Sequence, residues 1–185
     1  MPVKIWKPTK EQVLDAKGKK MRDIIAPELN VLFCGINPSL YSAAVGHHFA
    51  RPGNRFWPTL YAAGFTDRLL SPFEDGKLLE RGYGITNVVE RATATAAELA
   101  ESEFIKGGRA LEKKILRYRP RMLAVLGVSA YRTAFGRKEA TIGRQESTLG
   151  KALVWVLPNP SGLNAHYRLE DLARVYGELR VEIDG

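Results

Sequence analysis

Two short stretches of this chain carry side chains placed for chemistry. Gly35-Ile36-Asn37-Pro38-Ser39 follows the apolar run Val31-Leu32-Phe33-Cys34. Pro158-Asn159-Pro160-Ser161-Gly162-Leu163-Asn164 follows a second apolar run, Leu153-Val154-Trp155-Val156-Leu157. Each run reads as a buried strand, and each ends in a turn rich in Gly, Pro and Asn. Gly35 lets the backbone turn sharply, Pro38 stiffens the exit, and Asn37 sits between them. Open α/β sheets bind ligands at the carboxyl ends of their strands. The chemistry on offer is that of amides and small hydroxyls, which bind and orient; an amide is a poor general base near neutral pH. A single Asn-Pro turn is ordinary turn chemistry. Two of them, each followed by small residues, favour one cleft with two lips.

The loop Gly46-His47-His48-Phe49-Ala50-Arg51-Pro52-Gly53 has too many breakers for regular structure. Phe49 in such a loop fits either the core or a stacking role, and the residues alone leave both open. His48 reads by default as a satisfied hydrogen-bonding residue. Other chemistries lack their residues. Cys34 is the one cysteine, which rules out an internal disulfide and a thiolate-bound iron–sulfur cluster. Its place inside an apolar strand makes it an inert core residue. Three histidines, two of them adjacent, argue against a zinc site built by the protein, and no cofactor is expected. A phosphoester hydrolase wants a carboxylate cluster for metal or a Gly-rich Lys loop, and neither is present. Ser161 lacks the Gly-x-Ser-x-Gly surroundings of an esterase nucleophile.

The elements that must position these turns alternate strand and helix. Thr9-Lys10-Glu11-Gln12 has capping-box spacing for a short helix, and Leu40 to Val45 fits a helical turn. Asn54 offers a cap for a helix over 56–63, with Pro58 in its first turn and Gly64 closing it. Residues 73–81 read as a short helix ended by Gly82, and 84–89 as a second strand whose Thr86-Asn87 pair falls near an edge. Residues 91–107, rich in Ala, Thr and Glu without a period, predict loop with one helical turn. Arg109 to Tyr118 is helical, with Leu111, Ile115 and Tyr118 on one face. Met122 to Leu126 is a third buried strand, followed by a helix through Phe135. Residues 136–151 predict a mobile basic loop or hairpin. The last helix, 168–180, puts Leu169, Leu172, Ala173, Tyr176 and Leu179 on one stripe. This order predicts a mainly parallel sheet covered on both faces.

The 185 residues suit one domain, with 1–24 as a peripheral N-terminal segment. A net charge of +8 favours a polyanionic partner, nucleic acid first and an anionic membrane surface second. No signal-peptide pattern and no bilayer-length apolar run occur, so an intracellular, cytoplasmic protein is expected.

With both turns in view, the chain resembles the mismatch-specific uracil/thymine DNA glycosylases of the uracil-DNA glycosylase superfamily. The matching stretches are GINPSL at 35–40, GNRFW at 53–57, AGFTDRLLSP at 63–72, GITNVVER at 84–91, GGRALEKKI at 107–115 and WVLPNPSGLN at 155–164. They occur in the family's order from about residue 25 onward. The resemblance implies a three-layer α/β/α sandwich around a short, mainly parallel sheet. It implies a monomer acting on double-stranded DNA that holds a mismatched or damaged pyrimidine, with no membrane partner. The implied activity is base excision: flipping uracil from a mismatch with guanine, with some tolerance of thymine and modified pyrimidines, and leaving an abasic site. The alternative is a mismatch-binding protein without hydrolytic activity, against which the intact Asn37 argues.

A base inside a duplex must be flipped out and replaced in the stack. By resemblance, Gly162 and Leu163 push into the duplex, as apolar wedges do. Phe49 stacks on the flipped base. Backbone N–H groups around Ile36 and Phe49 meet the base carbonyls, and preorganised donors of that kind are often the largest catalytic term. Asn37 holds the attacking water, His48 lies at the pocket, and Asn159 reaches base or water from the second lip. Ser42, small and beside Ala43, lies where a 5-methyl group would approach. Ser39, Ser161 and Arg55 are the implied DNA-backbone contacts. Ala165 departs from some bacterial relatives, which carry arginine in the wedge. Asp67 and Glu90 fall in matched stretches, where a helix cap or a surface ion pair is the expected role.

Overall fold

The structure, a computed structural model, describes residues 5–185. Five strands form one sheet in the order β2 (Tyr83–Asn87), β1 (Val31–Gly35), β3 (Met122–Leu126), β5 (Ala152–Leu157) and β4 (Gly143–Leu149). The first four are mutually parallel, and β4 is antiparallel to β5. Parallel pairing needs long crossovers, and helices supply them. Between the strands lie α2 (Leu40–Val45), α3 (Phe56–Ala62), a 3-10 segment over Pro72–Arg81, α4 (Glu101–Tyr118) and α5 (Val128–Phe135), while α1 (Lys10–Asp15) precedes the sheet and α6 (Leu169–Asp184) follows it.

Side chains of successive strand residues point to opposite faces, so each buried strand feeds two cores. Val31 and Phe33 join Phe56, Trp57, Leu60, Leu172, Tyr176 and Leu179 on the α3/α6 face. Leu32 and Cys34 join Leu111, Ile115, Val125 and Tyr131 on the α4/α5 face. Both faces are therefore covered, and the near-continuous apolar runs of β1, β3 and β5 follow from that. Each fully buried Leu or Phe contributes roughly 1.5–3 kcal/mol. Burial also pushes the Cys34 thiol far above its ordinary range, which fits an inert core residue.

Two expectations change. The helix expected at 109–118 begins at Glu101, eight residues earlier, and the single turn expected in 91–107 is a 3-10 turn over Ala96–Glu98. The adjacent Gly107 and Gly108 hide the helix in the sequence, since glycine is a poor helix former. Here they permit close packing. A Cβ at Gly107 would lie 2.1 Å from the carbonyl oxygen of Val88, and one at Gly108 would lie 2.4 Å from that of Ala134. The 136–151 stretch resolves as a hairpin whose first strand, β4, runs along β5 to the sheet edge.

The N-terminal segment, expected to be peripheral, is in part a sheet neighbour; its first four residues lie outside the described residues. Ile24 exchanges both backbone hydrogen bonds with Ile85, and Lys20 bridges Arg91. Residues 18–24 thus cover the outer edge of β2, where unpaired strand groups would otherwise face solvent.

Candidate active site

The carboxyl ends of β1, β2 and β5 share one edge, and a cavity of about 400 Å³ opens there. Its lining includes Ile36, Asn37, Ser39, Ser42, His48 and Phe49 from the first lip. Asn159, Ser161 and Leu163 come from the second. Of the residues singled out in the sequence, Arg55 and Gly162 stand outside the lining, in the loops behind it.

Asn37 is held by two acceptors. Its Nδ2 donates to the carbonyl oxygen of Arg91 at 3.0 Å and to Oγ1 of Thr93 at 2.7 Å. Thr93 in turn donates its hydroxyl proton to the carbonyl of Thr95. Because a carbonyl only accepts, the amide has one orientation, and its Oδ1 is the atom left for the cavity. The 91–95 strip is itself anchored. The Arg91 guanidinium pairs with both oxygens of Glu103, at 2.6 and 3.0 Å, in the first turn of α4. That pairing holds the Glu103 carboxyl down at about 2.

Gly35 lies at the floor. A Cβ there would come within 2.6 Å of Asn87 Oδ1 and 3.2 Å of the Phe49 ring. Phe49 takes a left-handed backbone, φ 53°, which costs a non-glycine residue about 1–3 kcal/mol. Its ring stacks on Phe56, with centroids 4.0 Å apart, while also lining the cavity. One side chain thus both packs on the core and lines the cavity. Among the described residues no backbone or side-chain acceptor meets the N–H of Ile36 or of Phe49.

His48 is 4% exposed and held at three points. Its Nε2–H donates to the carbonyl of Arg22 at 2.8 Å, its N–H to Asp75 Oδ2 at 3.0 Å, and its carbonyl accepts from Trp57 Nε1. Burial pushes its pKa down, which favours the neutral ring. Ser42 is 3% exposed, and its hydroxyl accepts from Ala50 N–H and pairs with Ser39 Oγ at 3.1 Å. Ser39 also caps α2 through Ser42 N–H, so its hydroxyl is committed within the protein. Ser161 Oγ accepts from Leu163 N–H and keeps its own proton to donate. Asn159 Oδ1 accepts from Ser161 N–H, which leaves its Nδ2 donors for the cavity. Leu163 is 73% exposed beside the mouth. Arg55, by contrast, points into the protein, with its terminal nitrogens on carbonyl oxygens of Ser161, Asn164 and Tyr167.

No Asp or Glu lines this cavity among the described residues. Asp67 pairs with Arg81, and Glu90 with Lys20 at 3.4 Å, in keeping with surface roles. No cluster of His, Cys, Asp or Glu fit for a metal occurs among the described residues, and no helix there is long and apolar enough to cross a membrane.

Three contributors escaped the sequence reading. Thr93 sits in an aperiodic Ala/Thr stretch, and only the fold brings it to Asn37. Asn87 was visible as a polar residue at a strand end but had no assigned place; it lies on the floor. Asp75, 8% exposed, reaches back across the chain to bind both the His48 N–H and His47 Nδ1, at 3.0 and 3.1 Å. Replacing Asp75 with alanine leaves a buried N–H unpaired and frees the loop that carries Phe49. The expected loss is about 1–3 kcal/mol of stability, read in urea unfolding.

A family model described as the uracil DNA glycosylase superfamily matches residues 22–180. Among solved structures, the solution NMR structure of a Methanosarcina acetivorans protein, provisionally assigned as a uracil DNA glycosylase, is similar with a TM-score of 0.56. The likeness covers 88% of this chain and 98% of that one at 18% identity, which speaks to the fold. The family match takes in both lips of the cavity, all five strands and the strip that orients Asn37, and by it this chain belongs to the uracil DNA glycosylase superfamily.

Proposed function

We propose that this chain is a monofunctional DNA glycosylase that removes uracil from mismatches with guanine, using a water positioned by Asn37. Membership of the superfamily supplies the coarse reaction, hydrolysis of the bond between base and sugar in DNA. The finer reading rests on one observation. Asn37 is the polar side chain of the first lip with its orientation fixed by acceptors on both N–H groups, in a cavity without a lining carboxylate.

That arrangement favours a dissociative path. The C1′–N1 bond breaks and its electron pair leaves with the base. The free N–H groups of Ile36 and Phe49 stand where the departing anion's oxygen would need donors. Water held on Asn37 Oδ1 then adds to the oxocarbenium-like sugar through its oxygen, its surplus proton passes to solvent, and the departed base anion takes up a proton from solvent. A weak base suits a good leaving group and slow turnover, so uracil and electron-poor pyrimidines fit better than ordinary cytosine. Phe49 offers the stacking face, Asn159 and Asn87 offer amide groups to the base edge, and Leu163 fills the gap in the duplex. Ser42 lines the cavity, and its small side chain leaves room for a 5-methyl group. Ser161 keeps a hydroxyl for a phosphate, and the net charge of +8 supplies affinity that salt weakens.

The test is single-turnover cleavage of duplexes holding guanine·uracil, adenine·uracil or guanine·thymine, beside single-stranded uracil. Guanine·uracil is expected to be fastest, with guanine·thymine slower but measurable. Mismatch binding without any cleavage would overturn the hydrolytic reading in favour of a binding protein. Equal rates on single-stranded and mismatched uracil would overturn the flipping half.

A further inference from the structure

We propose that Arg55 is a positioning residue that locks the wedge loop, residues 160–167, to the loop carrying Phe49, so that insertion and base capture act as one rigid body. The inference rests on the reading of Leu163 as the wedge.

Arg55 donates four times into that loop. Its backbone N–H meets the carbonyl of Pro160 at 2.9 Å. Nη2 meets the carbonyls of Ser161 at 2.6 Å and Asn164 at 3.0 Å, and Nη1 meets that of Tyr167. Three carbonyls spread over seven residues converge on one planar guanidinium, which a fork of fixed geometry can serve and a lysine cannot. Nε is buried without a partner. Both Nη2 protons and one Nη1 proton are committed to the wedge loop, so the guanidinium is turned into the protein and the positioning role takes the place of the DNA-backbone contact expected for Arg55.

A second contact joins the same two loops. Gly162 packs against Gly53 so closely that a Cβ on Gly162 would lie 2.6 Å from the Gly53 carbonyl oxygen. Gly162 is thus required by packing beneath the wedge, and Leu163 is the side chain held out. On its other side Arg55 adjoins Phe56, whose ring is the support on which Phe49 stacks. The loop that carries Leu163 is thus tied through Arg55 and its neighbour Phe56 to the ring of Phe49. An exposed leucine on a loose loop would lose rotational freedom on entering the duplex; one already fixed loses less, which is the gain from preorganisation.

The test compares wild type with Arg55→Met, which keeps length and removes the donors, and Arg55→Lys, which keeps charge without the fork. In the free protein, amide hydrogen exchange at 161–167 is expected to quicken about tenfold or more in Arg55→Met, with β1 and β3 unchanged. Cleavage of guanine·uracil duplex is expected to fall about tenfold, while single-stranded uracil changes less than about threefold. Arg55→Lys should fall between. Unchanged exchange at 161–167 in both variants would overturn the lock. Faster exchange with equal losses on duplex and single strand would overturn its link to insertion. If wild type cleaves neither substrate, the glycosylase reading has failed, and the exchange result still decides whether Arg55 holds the loop. If Arg55→Met does not fold, the same comparisons are made with Arg55→Lys.

Discussion

Replacing Asn37 with alanine is expected to lower single-turnover cleavage of guanine·uracil by about 10²–10⁴-fold, with duplex binding retained. The size follows from what the side chain supplies. Water in the cavity must be held for a short-lived, positively charged sugar, and no lining carboxylate is present to take over. On the proposed mechanism the residual rate is what donors at Ile36 and Phe49 and the binding energy of a flipped base would supply, which alanine leaves in place. Folding is expected to survive, because Asn37 is partly exposed and its partners, the Arg91 carbonyl and the Thr93 hydroxyl, can turn to water. Thr93→Val belongs to the same series. It removes one of the two acceptors and leaves the amide held by the Arg91 carbonyl alone, so its loss should be smaller than that of Asn37→Ala. A loss in Asn37→Ala that tracks reduced duplex affinity would place the residue in binding and refute the water-holding role.

Much of this fold could be read from the chain because the signal was local. The runs over β1, β3 and β5 are buried on both faces, so they are apolar throughout. The turns after β1 and β5 combine Gly, Pro and Asn, which few other contexts require. What stayed hidden was non-local. Gly107-Gly108 reads as a break until Val88 and Ala134 are seen against the helix, where any side chain would collide. Asp75 looks like an ordinary charged residue of a short helix, yet it closes the His47-His48 loop from 27 positions away. Arg55 in a basic chain invites assignment to DNA, because sequence gives the charge and not its direction. The Phe49 backbone could not be foreseen either, since a left-handed phenylalanine is disfavoured in isolation and is sustained here by the Phe56 stack and the bonds on either side of it.

Leu163→Ala tests the other half of the mechanism and should separate flipping from chemistry. Leu163 is 73% exposed, so truncating it removes almost no buried surface and should leave stability within about 0.5 kcal/mol. In the duplex its side chain would be buried between base steps, a transfer of roughly 1.5–3 kcal/mol, which corresponds to about 10–150-fold. Guanine·uracil cleavage should fall by that factor. Adenine·uracil should fall at least as far, because a sound pair costs more to open than a mismatch and leans harder on the wedge. Single-stranded uracil needs no gap to be filled, so its rate should hold within about threefold. The quantity to follow is the ratio of duplex to single-strand rates, which cancels any shared damage to the pocket. A ratio unchanged by the substitution would mean that Leu163 does not enter the stack, and that its exposure at the mouth serves some other contact.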